Sequence, residues 1–72
     1  LRSVKFKAGK PLEHKQVIQA IADGQAMLGD GGRLVVRASG TEPVIRVMGE
    51  ADDAILVETV VGQIEAAIRD VA

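Results

Sequence analysis

Apolar residues recur along the chain with two different periods, and the switches between them mark out five elements. From Leu1 to Lys7 the pattern alternates, with Val4 and Phe6 on one side and Ser3, Lys5 and Lys7 on the other. A period of two is that of a half-buried strand, which Ala8-Gly-Lys-Pro11 is expected to break. Leu12 to Leu28 follows the helical period instead. Val17, Ile18, Ile21 and Leu28 form one stripe, and Glu13, Lys15, Gln16, Gln19 and Asp23 face away. Gly24 costs that helix roughly 1 kcal/mol relative to alanine, which points to close packing or a weak spot. Gly29-Asp-Gly-Gly32 ends it with a left-handed cap and a turn.

Two short β-branched runs come next, Arg33-Leu-Val-Val-Arg37 and Val44-Ile-Arg-Val-Met48. Turn residues join them and Pro43 closes the loop, so they are expected to form a hairpin. Side chains alternate along a strand. In a simple register Leu34, Val36, Ile45 and Val47 share one face, and Arg33, Val35, Arg37, Val44, Arg46 and Met48 the other. Asp52 and Asp53 then precede the most regular helical stretch, Ala54 to about Val71. Its core stripe runs through Val57, Val60, Val61, Ile64, Ala67, Ile68 and Val71, with Glu58, Gln63, Glu65 and Arg69 toward water. Adjacent acids there suit helix capping better than metal binding, because no further ligands surround them.

The order β-α-β-β-α, with one apolar stripe per helix and one apolar sheet face, predicts an α+β two-layer sandwich. Its sheet is expected to be mainly antiparallel, of three to four strands, with both helices on one face. The outer face carries Val35, Val44 and Met48 among its arginines, a partly apolar surface that suits contact with another domain.

Composition narrows the function. Seventy-two residues make one small domain, and a domain of this size buries only about 60% of the surface its unfolded chain exposes. A net charge of −1 with mixed signs gives no basic field for nucleic acid. One aromatic residue, Phe6, makes no stacking platform for single strands. No apolar run approaches the roughly 20 residues of a membrane span, and no signal peptide is visible. The lack of cysteine removes disulfides and thiolate metal sites and fits a reducing, cytoplasmic setting. A chain that starts in mid-strand without methionine is expected to be part of something longer. His14 has no acid or nucleophile beside it and is assigned no role.

The chemistry concentrates at the hairpin loop. Arg37 and Arg46 each offer a planar fork of donors that matches two phosphate oxygens. Ser39 and Thr41 add hydroxyl donors, and Gly40 is expected at positive φ, exposing backbone N–H groups as a small nest. Two cations on one face near the loop invite an anion between them. On residue chemistry alone, solvated arginines beside an ordinary turn explain the pattern equally well. By contrast Gly29-Asp-Gly-Gly32 is a turn, since phosphate-cradling glycine loops run from a strand into a helix and this one runs from a helix into a strand.

Arg37-Ala-Ser-Gly-Thr-Glu-Pro43 with Arg46 resembles the phosphate-binding loop in the C-terminal domain of the α-D-phosphohexomutases. Pro11-Leu12-Glu13 and Gly49-Glu50-Ala51 are similar to that family too, so the resemblance covers nearly the whole chain, as the last of four domains. It implies that Arg37, Ser39, Gly40, Thr41 and Arg46 hold the non-reacting phosphate of a phosphosugar, with Glu42 and Pro43 orienting and stiffening the loop. It also implies a phosphoserine in the first domain, Mg²⁺ held by aspartates of the second, and a sugar-reading loop in the third. The Ser-Gly-Thr-Glu-Pro form followed by Arg-Val-Met is most like the branch acting on glucosamine phosphates; glucose and mannose phosphates are the alternatives. Neither a Ser-His-Asn-Pro phosphoserine loop nor an Asp-Gly-Asp metal loop occurs here, so no catalytic residue and no cofactor is expected in this chain alone. An unrelated ligand-binding or interaction module on the same fold is the remaining alternative.

Overall fold

The structure, a computed structural model, describes residues 2–7 and 9–71. The strand start expected at Leu1 and the break expected at Ala8 lie outside the described residues. The elements are β1 (Arg2–Lys5), a single 3₁₀ turn (Pro11–Glu13), α1 (Lys15–Leu28), β2 (Arg33–Ala38), β3 (Val44–Glu50) and α2 (Ala54–Val71). Among the described residues the three strands form an antiparallel sheet in the order β1-β3-β2. The expected β-α-β-β-α order and two-layer α+β arrangement hold.

Alternation decides the layers. Val4, Ile45 and Val47 are fully buried on the inner sheet face, with Leu34 and Val36 packed against the same cluster. Val60, Ile64 and Ile68 of α2 and Val17 of α1 meet them there, each with no exposed surface. α2 follows its expected stripe and is capped as expected: Asp53 Oδ1 accepts from the Leu56 N–H at 3.1 Å.

α1 departs from expectation in two ways. It begins at Lys15 rather than Leu12, because His14 is extended (φ −75°, ψ 134°) and separates it from the 3₁₀ turn. The imidazole Nδ1 of His14 then accepts from the Gln16 N–H at 3.3 Å, so the histidine caps the helix. The stripe also shifts. Ile18 is 52% exposed, and the seam runs instead through Val17, Ile21, Gly24 and Leu28. The reason is steric: a Cβ at Gly24 would lie 2.7 Å from Val60 Cγ1 and 3.3 Å from Ile64 Cδ1. The missing side chain lets the helices approach. At the C-terminus Gly29 adopts φ 69° and its N–H donates to the Gln25 carbonyl, which is the expected glycine ending.

Candidate functional site

Pairing between β2 and β3 sets the geometry of the outer face. Arg37 stands directly opposite Arg46, Val35 opposite Met48, and Arg33 opposite Glu50. On the other side of β3, Ser3 of β1 is opposite Arg46 and Lys5 opposite Val44. The two arginines therefore share one sheet face as the alternation predicts, in the rung nearest the loop but one.

Both guanidinium groups are exposed. Among the described residues the ion pairs are Arg2 with Glu58 and Glu65, Lys10 with Glu13, and Arg69 with Glu65. None of these involves Arg33, Arg37 or Arg46. Like charges directly opposite on a sheet disfavour the pairing by some 0.2–1 kcal/mol. Among the described residues no carboxylate pairs with either arginine to offset that cost, so an anion between Arg37 and Arg46 would relieve it.

The arginines line an open groove of about 390 Å³ together with Arg33, Val35 and Met48. Ser39, Gly40 and Thr41 do not line it; they lie at its end, in the five-residue loop. That loop is tied down at both sides. The Ser39 N–H donates to the Val44 carbonyl at 2.8 Å, and the Phe6 N–H donates to the Pro43 carbonyl at 3.0 Å, joining the loop to the end of β1. The Val44 N–H also donates to the Glu42 carbonyl at 2.8 Å, closing a tight turn around Pro43. Within the loop, the Thr41 N–H approaches Ser39 Oγ at 3.4 Å. That contact uses the hydroxyl oxygen as acceptor and leaves its proton to donate elsewhere. Glu42 and Thr41 are exposed, and the Glu42 carboxylate makes no ion pair among the described residues.

Gly40 is a correction. Positive φ among the described residues occurs at Gly9 and Gly29, not at Gly40, so the loop does not form the nest that alternating backbone conformations would make. A Cβ at Gly40 would meet nothing within 4 Å. What this position supplies is an open approach to the loop backbone rather than a special conformation.

Arg33 is the groove residue that the loop motif does not include. Its signal was the strand alternation: Arg33, Val35 and Arg37 necessarily share a face. On the opposite, inner side of the loop lies a second hollow of about 350 Å³, lined mainly by Phe6, Pro11, Leu12, Ala38 and Ile45. It is largely apolar, with Lys10 and Glu13 the charged residues of its lining.

Among the described residues, no three His, Asp or Glu side chains come together as metal ligands. No chemical step is assigned to a metal ion in this chain. No helix of the described residues is long and apolar enough to cross a membrane.

The family model described as phosphoglucomutase/phosphomannomutase, C-terminal domain, matches residues 2–67. A phosphoglucosamine mutase of Azorhizobium caulinodans is 57% identical over 72 residues, covering 100% of this chain and 16% of that protein. One from Sphingopyxis alaskensis is 61% identical over 69 residues, 96% of this chain and 16% of its own length. Another, from Caulobacter vibrioides, is 56% identical over 69 residues, 96% of this chain and 15% of its own length. The chain thus spans about a sixth of the length of these relatives.

Proposed function

Since the chain belongs to the phosphoglucomutase/phosphomannomutase C-terminal domain family, we infer that it is the fourth, phosphate-gripping domain of a phosphoglucosamine mutase. The intact parent would interconvert glucosamine 6-phosphate and glucosamine 1-phosphate through a bisphosphate intermediate. Its substrate is a phosphosugar, its partners are the other domains of the same polypeptide, and its expected setting is the cytoplasm. The Mg²⁺ and phosphoserine of the reaction belong to those other domains.

The observation that carries this reading is the Arg37–Arg46 rung: two arginines directly opposite on one face, with no acid paired to either among the described residues. In this role each guanidinium donates to phosphate oxygens, a geometry in which a planar fork outperforms an ammonium group. Ser39 Oγ–H and Thr41 Oγ–H donate from the loop, and the open backbone at Gly40 gives its N–H access to the same anion. Pro43 holds the loop against β1 through its carbonyl. Glu42 shapes the turn through its backbone and keeps its carboxylate in water, away from the phosphate it would repel.

The work done is positioning. Binding energy on a phosphate that does not react aligns the one that does, and that alignment is realised in the transition state. A clamp that recognises only phosphate also serves either end of the intermediate, since it does not read the ring. Glucosamine is favoured over glucose or mannose as the sugar because the relatives quoted above are phosphoglucosamine mutases.

The test is Arg37→Ala in the intact enzyme. Loss of a hydrogen bond to a charged group costs about 1.5–3 kcal/mol, which is a fall of roughly 10- to 150-fold in kcat/KM. Activity within twofold of the parent would remove Arg37 from the clamp.

A further inference from the structure

The sheet order β1-β3-β2 places β3 between its two neighbours, so an anion seated over β3 is flanked by β1 as well as by β2. Val4 is fully buried on the inner face, and alternation therefore sends Ser3 and Lys5 to the outer face with the arginines. Lys5 stands opposite Val44, and Ser3 stands opposite Arg46, whose other neighbour is Arg37. The Ser39 N–H donates to the Val44 carbonyl at 2.8 Å, which carries the β2–β3 register one rung past Ala38 and brings Ser39 beside Val44. Half-buried Val44 is thus the centre of a ring. Arg37 and Arg46 form the next rung away from the loop, Ser39 flanks Val44 from β2, and Lys5 flanks it from β1. Lys5 is exposed, and none of the ion pairs among the described residues involves it. The hydrogen bond from the Phe6 N–H to the Pro43 carbonyl holds the backbone next to Lys5 against the loop. Strand spacing sets the Lys5 and Arg37 Cα atoms about 10 Å apart across the sheet and about 7 Å apart along it. That is within reach of an ammonium and a guanidinium meeting at one anion between them. An ammonium is a point charge on a flexible stem and needs no planar match, which suits the side of the anion that the two arginine forks leave open.

We propose that Lys5 is the third cation of the phosphate seat, a binding residue supplied by β1 and lying outside the loop motif. Arg37 and Arg46 hold the anion through their planar forks, and the Lys5 ammonium donates to the oxygen that faces β1. The proposal rests on the phosphate-gripping role of the Arg37–Arg46 rung and holds the same single phosphate by one further group.

The experiment titrates the 72-residue chain with inorganic phosphate at constant ionic strength, following arginine side-chain N–H and lysine Cε signals by NMR. Phosphate is expected to shift Lys5 together with Arg37 and Arg46, while Lys15, at the start of α1 in the helical layer, stays unmoved. Lys5→Gln should weaken phosphate binding roughly fivefold, the upper end of the range for an exposed ion pair, with the circular dichroism spectrum unchanged. Lys15→Gln removes the same charge from the other layer and should leave the affinity within about 1.5-fold of the parent. Lys5→Arg keeps the charge and should retain the affinity to within about twofold. A K5Q affinity within about 1.5-fold of the parent, or an equal loss in K15Q or in K5R, overturns the third cation while leaving the rung in place. Absence of any shift at Arg37 and Arg46 overturns the underlying phosphate reading instead, and the third cation falls with it.

Discussion

Gly24→Ala isolates the contact that sets α1 against α2. In an exposed helix interior this change is stabilising by about 1 kcal/mol, the difference in helix propensity. Gly24, however, is buried, and the new methyl would sit 2.7 Å from Val60 Cγ1, 3.3 Å from Ile64 Cδ1 and 3.5 Å from Leu34 Cδ2. Val60 and Ile64 are fully buried, and Val60 is a β-branched residue with a stiff χ1 that cannot easily swing aside. Overpacking of this kind costs about 1–3 kcal/mol. The two effects sum to a net loss of about 0–2 kcal/mol, centred near 1. For a domain of this size, 1 kcal/mol lowers Tm by roughly 4–8 °C. Urea unfolding followed by circular dichroism should therefore show a lower midpoint at unchanged slope. The decisive comparison is the double-mutant cycle with Val60→Ala. Once Val60 is trimmed, Gly24→Ala should become stabilising, because the methyl then fills the space that was opened. Stabilisation by Gly24→Ala in the otherwise unchanged chain would refute the close approach of the helices.

Two further substitutions test other parts of the account. Arg37→Gln removes one of two like charges facing each other across the hairpin, so it should leave stability unchanged or raise it by up to about 1 kcal/mol. The gain should be larger at low salt; a loss of more than 0.5 kcal/mol, well outside the usual surface range, would mean that the guanidinium serves the fold. Asp53→Ala deletes the cap on Leu56 N–H and should cost about 0.5–2 kcal/mol in thermal or urea unfolding; an unaffected midpoint would show that another group satisfies that N–H.

Much of this architecture was legible in the residue pattern, and the exceptions have specific causes. The hairpin faces followed from alternation, because a slip of one residue would have put Ile45 and Val47 in water and Arg46 in the core. The α2 stripe was equally plain, since its apolar positions repeat over five turns without interruption. The start of α1 was not. Pro11-Leu-Glu has the look of a helical first turn, but the extended backbone at His14 ends it as a 3₁₀ turn, a choice of one ψ angle that propensity does not resolve. Ile18 was placed in the core because hydrophobicity was weighed without shape, whereas packing selected the face on which Gly24 admits Val60. At the loop, residue types indicated the chemistry but not the backbone: Gly40 has no positive φ, as the Pro43-centred turn and the Phe6 tie already fix the bend. Arg33 was legible on the arginine face from alternation, yet the loop motif does not include it, for a different reason. A loop motif draws attention to neighbours in sequence, whereas a sheet brings together residues two and four positions away.

The most direct test of the central claim is an NMR titration of the 72-residue chain with inorganic phosphate, compared with chloride at equal ionic strength. The account predicts saturable, phosphate-specific shifts at the side-chain Nε–H groups of Arg37 and Arg46 and at the backbone N–H groups of Ser39, Gly40 and Thr41, with the core signals of α2 unmoved. Spectra in phosphate and chloride that superimpose throughout residues 37–46 would contradict it.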